Sequence, residues 1–226
     1  MGFKKFSIAS IDKEEALSAE EEEKYTKYFA HFDKDKSGDI SVTELQAVLK
    51  HCGFEFDKIP GAVAWMVSLV DLDGTKTLSL GEFKFFVGNL LKYKRAFKKA
   101  DADSSGHLSN AEVQALFNKM NFAFSDKQTA LLASLVDKDS SGSLGLEEFM
   151  LLSVFVRFAK IQFLLADSDG SGHLTRAEVK RYLPALGLNI DDAALEKLMA
   201  RLDSDGNTQA LSAEEFILLA AMVKLE

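Results

Sequence analysis

The chain has 226 residues, 47% of them hydrophobic and 27% charged, which is ample apolar material for buried cores and excludes a disordered tail. Its 27 Lys and Arg against 35 Asp and Glu leave a net charge of -8, the wrong sign for a partner that presents a phosphate backbone, so no nucleic acid is expected. The single Cys52 allows no internal disulfide.

The opening MGFKKFSIAS lacks the apolar core of a secretory signal, and with one cysteine this predicts a reducing, cytoplasmic address. Gly2 is followed by Phe6 where a myristoylation motif wants Ser or Thr. Lys4 and Lys5 offer only about 2 kcal/mol of attraction to an anionic bilayer. Residues 1–17 therefore read as an N-terminal tail, and membrane contact is not expected.

The first helix is signposted by Ser18 with Glu21, a capping-box spacing, and continues through Tyr25, Tyr28, Phe29 and Phe32 at helical intervals. It runs into DKDKSGDISVTE, Asp33 to Glu44, with oxygen-bearing side chains at positions 1, 3, 5, 9 and 12 and Gly38 at position 6. A hard cation such as Ca2+ needs six to eight oxygens, and alternate residues of a tight loop supply them if the chain turns sharply at position 6. The predicted ligands are Asp33, Asp35, Ser37, the Asp39 carbonyl and a bidentate Glu44, with Ser41 acting through water. Leu45, Val48 and Leu49 then mark the exiting helix, and Gly53 a turn.

Ile59-Pro60 predicts the next helix start. The second loop offers Asp71, Asp73, Thr75, the Thr77 carbonyl and Glu82, but Lys76 stands where Gly is expected, which demands a left-handed residue and adds a cation. Its calcium occupancy is left open. The third loop has Asp101, Asp103, Ser105, the His107 carbonyl and Glu112; the fourth, Asp137, Asp139, Ser141, the Ser143 carbonyl and Glu148, with Gly145 leaving position 9 to water. The fifth has Asp167, Asp169, Ser171, the His173 carbonyl and Glu178. Both histidines should point outward, since only their carbonyls are needed. Ser125 with Gln128, and Asn189 ahead of Asp191 and Asp192, predict further helix starts, and Gly187 a turn.

Asp-x-Asp thus begins at Asp33, Asp71, Asp101, Asp137, Asp167 and Asp203, at intervals of 38, 30, 36, 30 and 36. The repeating unit is a pair of loops. The sixth runs thirteen residues from Asp203 to Glu215 and lacks Gly at position 6, so it is expected to pair structurally and bind weakly or not at all.

These loops identify the chain as a member of the EF-hand calcium-binding superfamily. An apolar residue at position 8 should join paired loops, Ile40 to Leu78, Leu108 to Leu144 and Leu174 to Leu211. The predicted fold is all-α: three paired lobes, over 18–90, 91–156 and 157–226, with short β-bridges between paired loops. Ser79–Ala100 and Gly145–Ala166 contain no Pro, so each should be one helix, about 33 Å long. This fusion resembles the penta-EF-hand family, which includes the calpain small subunit, sorcin and grancalcin, while six hands resemble calbindin and secretagogin. The sixth hand, and an N-terminus not rich in Gly, depart from the penta-EF-hand pattern, so an obligatory homodimer is not expected.

The functional expectation is a calcium sensor or adaptor that changes conformation or association, with a cytosolic calcium buffer as the alternative. Four Ca2+ sites are expected, a fifth depending on the second loop, with Mg2+ a candidate occupant at rest. The partner is an unidentified protein or a second copy, engaged with calcium. Eighteen Phe against six Met read as core packing rather than an adaptable groove. His31, His51, His107 and His173 share no metal-ligand spacing, Cys52 has no catalytic context, and no enzyme is expected. The Phe149–Ala166 run carries Arg157 and Lys160 and reads as a buried helix.

Overall fold

The computed structural model describes residues 17–71, 73–186 and 191–224. They are mostly helical and fall into two compact units, one up to Ala96 and one from Phe97. The second unit takes in both the second and the third loop pair.

In the first unit the elements are α1 (Ala19–Phe32), α2 (Val42–His51), a 3-10 turn at Phe56–Lys58, α3 (Ala62–Val70) and most of α4 (Leu80–Ala100). Ser18 caps α1 by accepting the Glu21 N–H, while the Glu21 carboxylate accepts the Ser18 N–H. Tyr25, Phe29 and Phe32 lie on its buried stripe. Phe29 meets Phe83 of α4 edge-on at 5.5 Å between ring centroids. Each such fully buried aromatic contributes about 1.5–3 kcal/mol. At Gly53, φ of 77° turns the chain after α2.

The start of α3 differs from the sequence expectation. Pro60 does not open the helix; Gly61, in the left-handed region at φ 78°, is its N-cap, and Ala62 N–H bonds back to the Ile59 carbonyl at 3.1 Å. Glycine takes this left-handed N-cap conformation without steric cost.

The second unit contains the end of α4, then α5 (Asn110–Lys119), α6 (Asp126–Val136), α7 (Leu146–Ala166), β1 (Leu174–Thr175), α8 (Arg176–Tyr182), α9 (Asp192–Leu202), β2 (Ala210–Leu211) and α10 (Ala213–Lys224). Asp191 is the N-cap of α9, accepting the Ala194 N–H at 2.7 Å; Gly187 and Asn189 lie outside the described residues. α7 is a single 21-residue helix of mean hydropathy 1.8, long and apolar enough to cross a membrane by composition. Its residues Glu148 to Val156 are all buried, so no face of that stretch is left over, as in the core helix of a globular unit.

Loop pairing follows the position 8 residues. Ile40 bridges Leu78 and Leu108 bridges Leu144, both antiparallel, and β1 pairs with β2 through Leu174 opposite Leu211. All six side chains are buried, so each bridge closes over the apolar ends of the helices it joins. Buried phenylalanines, among them Phe83, Phe117, Phe149, Phe155 and Phe216, supply the cores.

Candidate metal centres

The acidic loops share one hydrogen-bond plan. In the first, Ser37 N–H donates to Asp33 Oδ1 and Asp35 Oδ1, both at 3.0 Å, and Gly38 N–H to Asp33 Oδ2 at 3.1 Å. The Ser37 hydroxyl donates to the Asp39 carbonyl at 3.0 Å. Glu44 returns from the exiting helix, accepting Lys34 N–H at 2.8 Å with one oxygen and Ser41 N–H at 2.9 Å with the other. Six oxygens are thereby each held by a neighbour's N–H or O–H.

The plan recurs. Ser105 donates to Asp101 and Asp103 through its N–H and to the His107 carbonyl through its hydroxyl. Ser141 does so to Asp137, Asp139 and the Ser143 carbonyl, and Ser171 to Asp167, Asp169 and the His173 carbonyl. His107 and His173 are exposed and serve through their backbone. Glu112, Glu148 and Glu178 each accept the N–H of the position 9 residue, Ser109, Gly145 and Thr175. The glutamate predicted to ligate at position 12 is thus also the capping-box partner of the exiting helix.

The second loop follows the same course. Lys76 adopts φ 64°, the left-handed conformation its position demands, and its N–H reaches Asp71 Oδ2 at 2.8 Å as the glycines do elsewhere. Thr75 donates to Asp71, Asp73 and, at 3.4 Å, the Thr77 carbonyl; Glu82 accepts Ser79 N–H. Lys76 therefore strains the loop without remodelling it.

Two ligands of one Ca2+, each 2.3–2.6 Å away, cannot be more than about 5 Å apart. Carboxylate oxygens of Asp33/Asp35/Glu44, Asp71/Asp73/Glu82, Asp137/Asp139/Glu148 and Asp167/Asp169/Glu178 all lie within 4.8 Å of one another, so these donor sets fit a single hard cation. The third loop is looser. Asp101, Asp103 and Glu112 do not form a trio this tight, and Glu112 reaches the position 2 N–H, that of Ala102, at 3.2 Å against 2.8 Å in the first, fourth and fifth loops.

The sixth loop brings together residues that sequence reasoning did not assign as ligands. Asp203, Asp205 and Glu215 close to within the same 4.8 Å. Glu215 accepts Ser204 N–H at 2.6 Å and Ser212 N–H at 2.9 Å, so the extra residue is absorbed between Asp205 and Leu211. The signal was present in Asp-x-Asp and in Glu215-Phe216-x-x-Leu219, which continues the pattern of the other position 12 glutamates. A second feature was not legible. Position 4 is left-handed in all six loops, at Lys36, Gly74, Ser104, Ser140, Gly170 and Gly206.

The same hydrogen bonds set the charge state. The serine or threonine at position 5 bonds the position 3 aspartate with its side chain and then its N–H, holding Asp35, Asp73, Asp103, Asp139 and Asp169 below the usual carboxylate range. Glu178 falls furthest, to about 2, through the Ser168 hydroxyl and N–H, with Thr175 adding to them. For Glu44, burial pushes upward but is outweighed by bonds from Ser41 and Lys34. These seven carboxyls are therefore ionised at neutral pH.

The chain belongs to the EF-hand family. The family described as EF-hand domain pair matches residues 91–153 and 157–220, and a single EF-hand domain matches residues 24–53. Similar proteins include peflin from Danio rerio, 28% identical over 129 residues, which cover 57% of this chain and 48% of peflin. Troponin C isoform 2 from Caenorhabditis elegans is 25% identical over 60% of this chain and 91% of its own length. The plasmodial-specific protein LAV1-2 of Physarum polycephalum is 28% identical over 83% of this chain and 52% of its own. The chain spans about half the length of the first and last of these relatives. It is a calcium-binding EF-hand protein.

Proposed function

We propose that the protein is a cytoplasmic calcium sensor that acts as an adaptor. The observation that supports this is the double duty of the position 12 glutamates. Glu44, Glu82, Glu112, Glu148 and Glu178 cap the exiting helices and also face the donor sets, so on taking up Ca2+ each glutamate carries its helix with it. Among the described residues only Leu131, Leu164 and Leu165 are large, apolar and exposed, at 42%, 49% and 43%, so a partner surface has to be uncovered by such movement. The partner is a protein segment or a second copy, and no catalytic step is assigned.

The buffer reading has its own support. Carboxylate sets already within 4.8 Å need little rearrangement to bind, which favours filling without opening. Calorimetric calcium titration, with apolar-dye fluorescence on the same samples, separates the two. Four or more ions with a rise in dye binding is the sensor result; the same stoichiometry with unchanged dye fluorescence is the buffer result.

A further inference from the structure

An adaptor needs a surface, and α10 covers one. This helix is buried at seven consecutive positions, Glu215 to Ala221, which is nearly two turns and therefore its whole circumference. Within its own lobe it packs against α7, α8 and α9. Phe216 meets Phe163 of α7 at 5.9 Å and Tyr182 of α8 at 5.5 Å. Another side packs against α6, the helix that enters the fourth loop and belongs to the preceding pair.

At its first turn α10 is fastened to that same pair. Glu214 Oε1 accepts the Ala123 N–H at 2.9 Å, across 91 residues of sequence. Ala123 lies in the segment between α5 and α6, flanked by the buried Phe122 and Phe124, which stack at 5.6 Å and 17°. Phe124 also meets Phe117 of α5 at 5.3 Å, and Lys160 of α7 sits 4.5 Å over the Phe122 ring. This segment fixes how α5 leads into α6. Glu214 in turn immediately precedes Glu215, the residue that closes the sixth loop.

We propose that α10 is a built-in occupant of the apolar face of the second hand pair, latched by Glu214 to Ala123, and that this face receives a partner helix of like chemistry: apolar on adjoining sides, with a carboxylate in its first turn. Displacement of α10 uncovers the face, and movement of Glu215 in the sixth loop is the lever, since Glu214 shares its helical turn. The inference rests on the adaptor reading and adds to it a location, an occupant and a latch.

The test uses the full chain and its Glu214→Gln variant, with Ala123 and α10 amide exchange followed by NMR with and without Ca2+. A labelled synthetic peptide of residues 213–224 is titrated in parallel. Weakening a charge-assisted hydrogen bond to a neutral one should lower Ala123 protection by about tenfold and tighten peptide binding by a similar factor. In the wild type, Ca2+ should lower protection of Ala123 and α10 together. Unchanged exchange and peptide affinity in the variant would overturn the latch. If Glu214→Gln proves unstable, the wild-type exchange decides alone: dye exposure with undiminished α10 protection sinks this inference while leaving the adaptor reading intact, and absence of dye exposure sinks the adaptor reading itself.

Discussion

Lys76 illustrates a conflict between a residue and its position. At φ 64° it sits where a side chain costs about 1–2 kcal/mol relative to glycine, and that cost is borne whether or not Ca2+ is bound. Lys76→Gly should therefore raise the calcium-free unfolding free energy by about 1 kcal/mol, read from chemical denaturation, against the entropy that an added glycine loses on folding. Removing the cation should separately tighten the second loop by about fivefold, since a like charge within a Debye length of a divalent ion costs about 1 kcal/mol. A loop whose affinity does not change would show that the Lys76 charge is fully screened. Glu178 makes a pH prediction. Its carboxyl titrates near 2 in the folded state against an ordinary 4.5, so its stabilisation is complete above pH 4.5 and lost as pH falls toward 2. The calcium-free stability advantage of the wild type over Glu178→Gln should decline across that window, and a pH-independent difference would contradict the assignment.

Within the helices, local signals and burial agree closely. Capping boxes at Ser18, Ser41, Ser109, Ser125 and Thr175 stand where the spacing of hydroxyl and Glu or Gln placed them, because the cap needs only residues three apart. Pro60 stands two residues ahead of the first helical residue, Ala62, because the left-handed Gly61 intervenes as N-cap. Packing also left two hydroxyls stranded. Thr129 of α6 and Ser153 of α7 are fully buried with no hydrogen-bond partner, an arrangement in which the hydroxyl contributes only its desolvation cost. Thr129→Val and Ser153→Ala should each raise stability by about 1 kcal/mol, measured by thermal or urea unfolding. A loss instead would mean that each hydroxyl finds a partner in solution, such as an ordered water.

For the whole molecule, charge is the larger lever. The formal charge is -8, and the four Ca2+ expected from the sequence would add +8, removing the self-repulsion that keeps copies apart. Light scattering should show rising association as the loops fill, reduced when the fourth and fifth are disabled by Glu148→Gln and Glu178→Gln, since with two of four ions lost the loaded variant keeps a charge of about -2. Scattering that stays at the monomer value through saturation would exclude calcium-driven self-association and leave a heterologous partner as the adaptor's target.

Sequence by itself determined the six-loop repeat and the pairing of Ile40, Leu108 and Leu174 with their partners, because the oxygen pattern lies within a single loop and each position 8 residue meets its equivalent in the next loop. The long helices α4 and α7 were legible for the same reason: nothing in their sequence breaks a helix. Three features depended on the tertiary structure. The sixth loop closes its carboxylates despite an extra residue, because the Gly206 and Asn207 N–H bonds to Asp203 and Asp205 hold one end of the insertion and the Leu174–Leu211 pairing and Ser212 cap hold the other. The third loop is looser than its complete ligand set implied, since donor identity does not set donor separation. And the cover on the outer side of α10, whose apolar run Phe216–Val223 calls for burial all round, comes from the second hand pair, a contact between distant segments that no local pattern encodes.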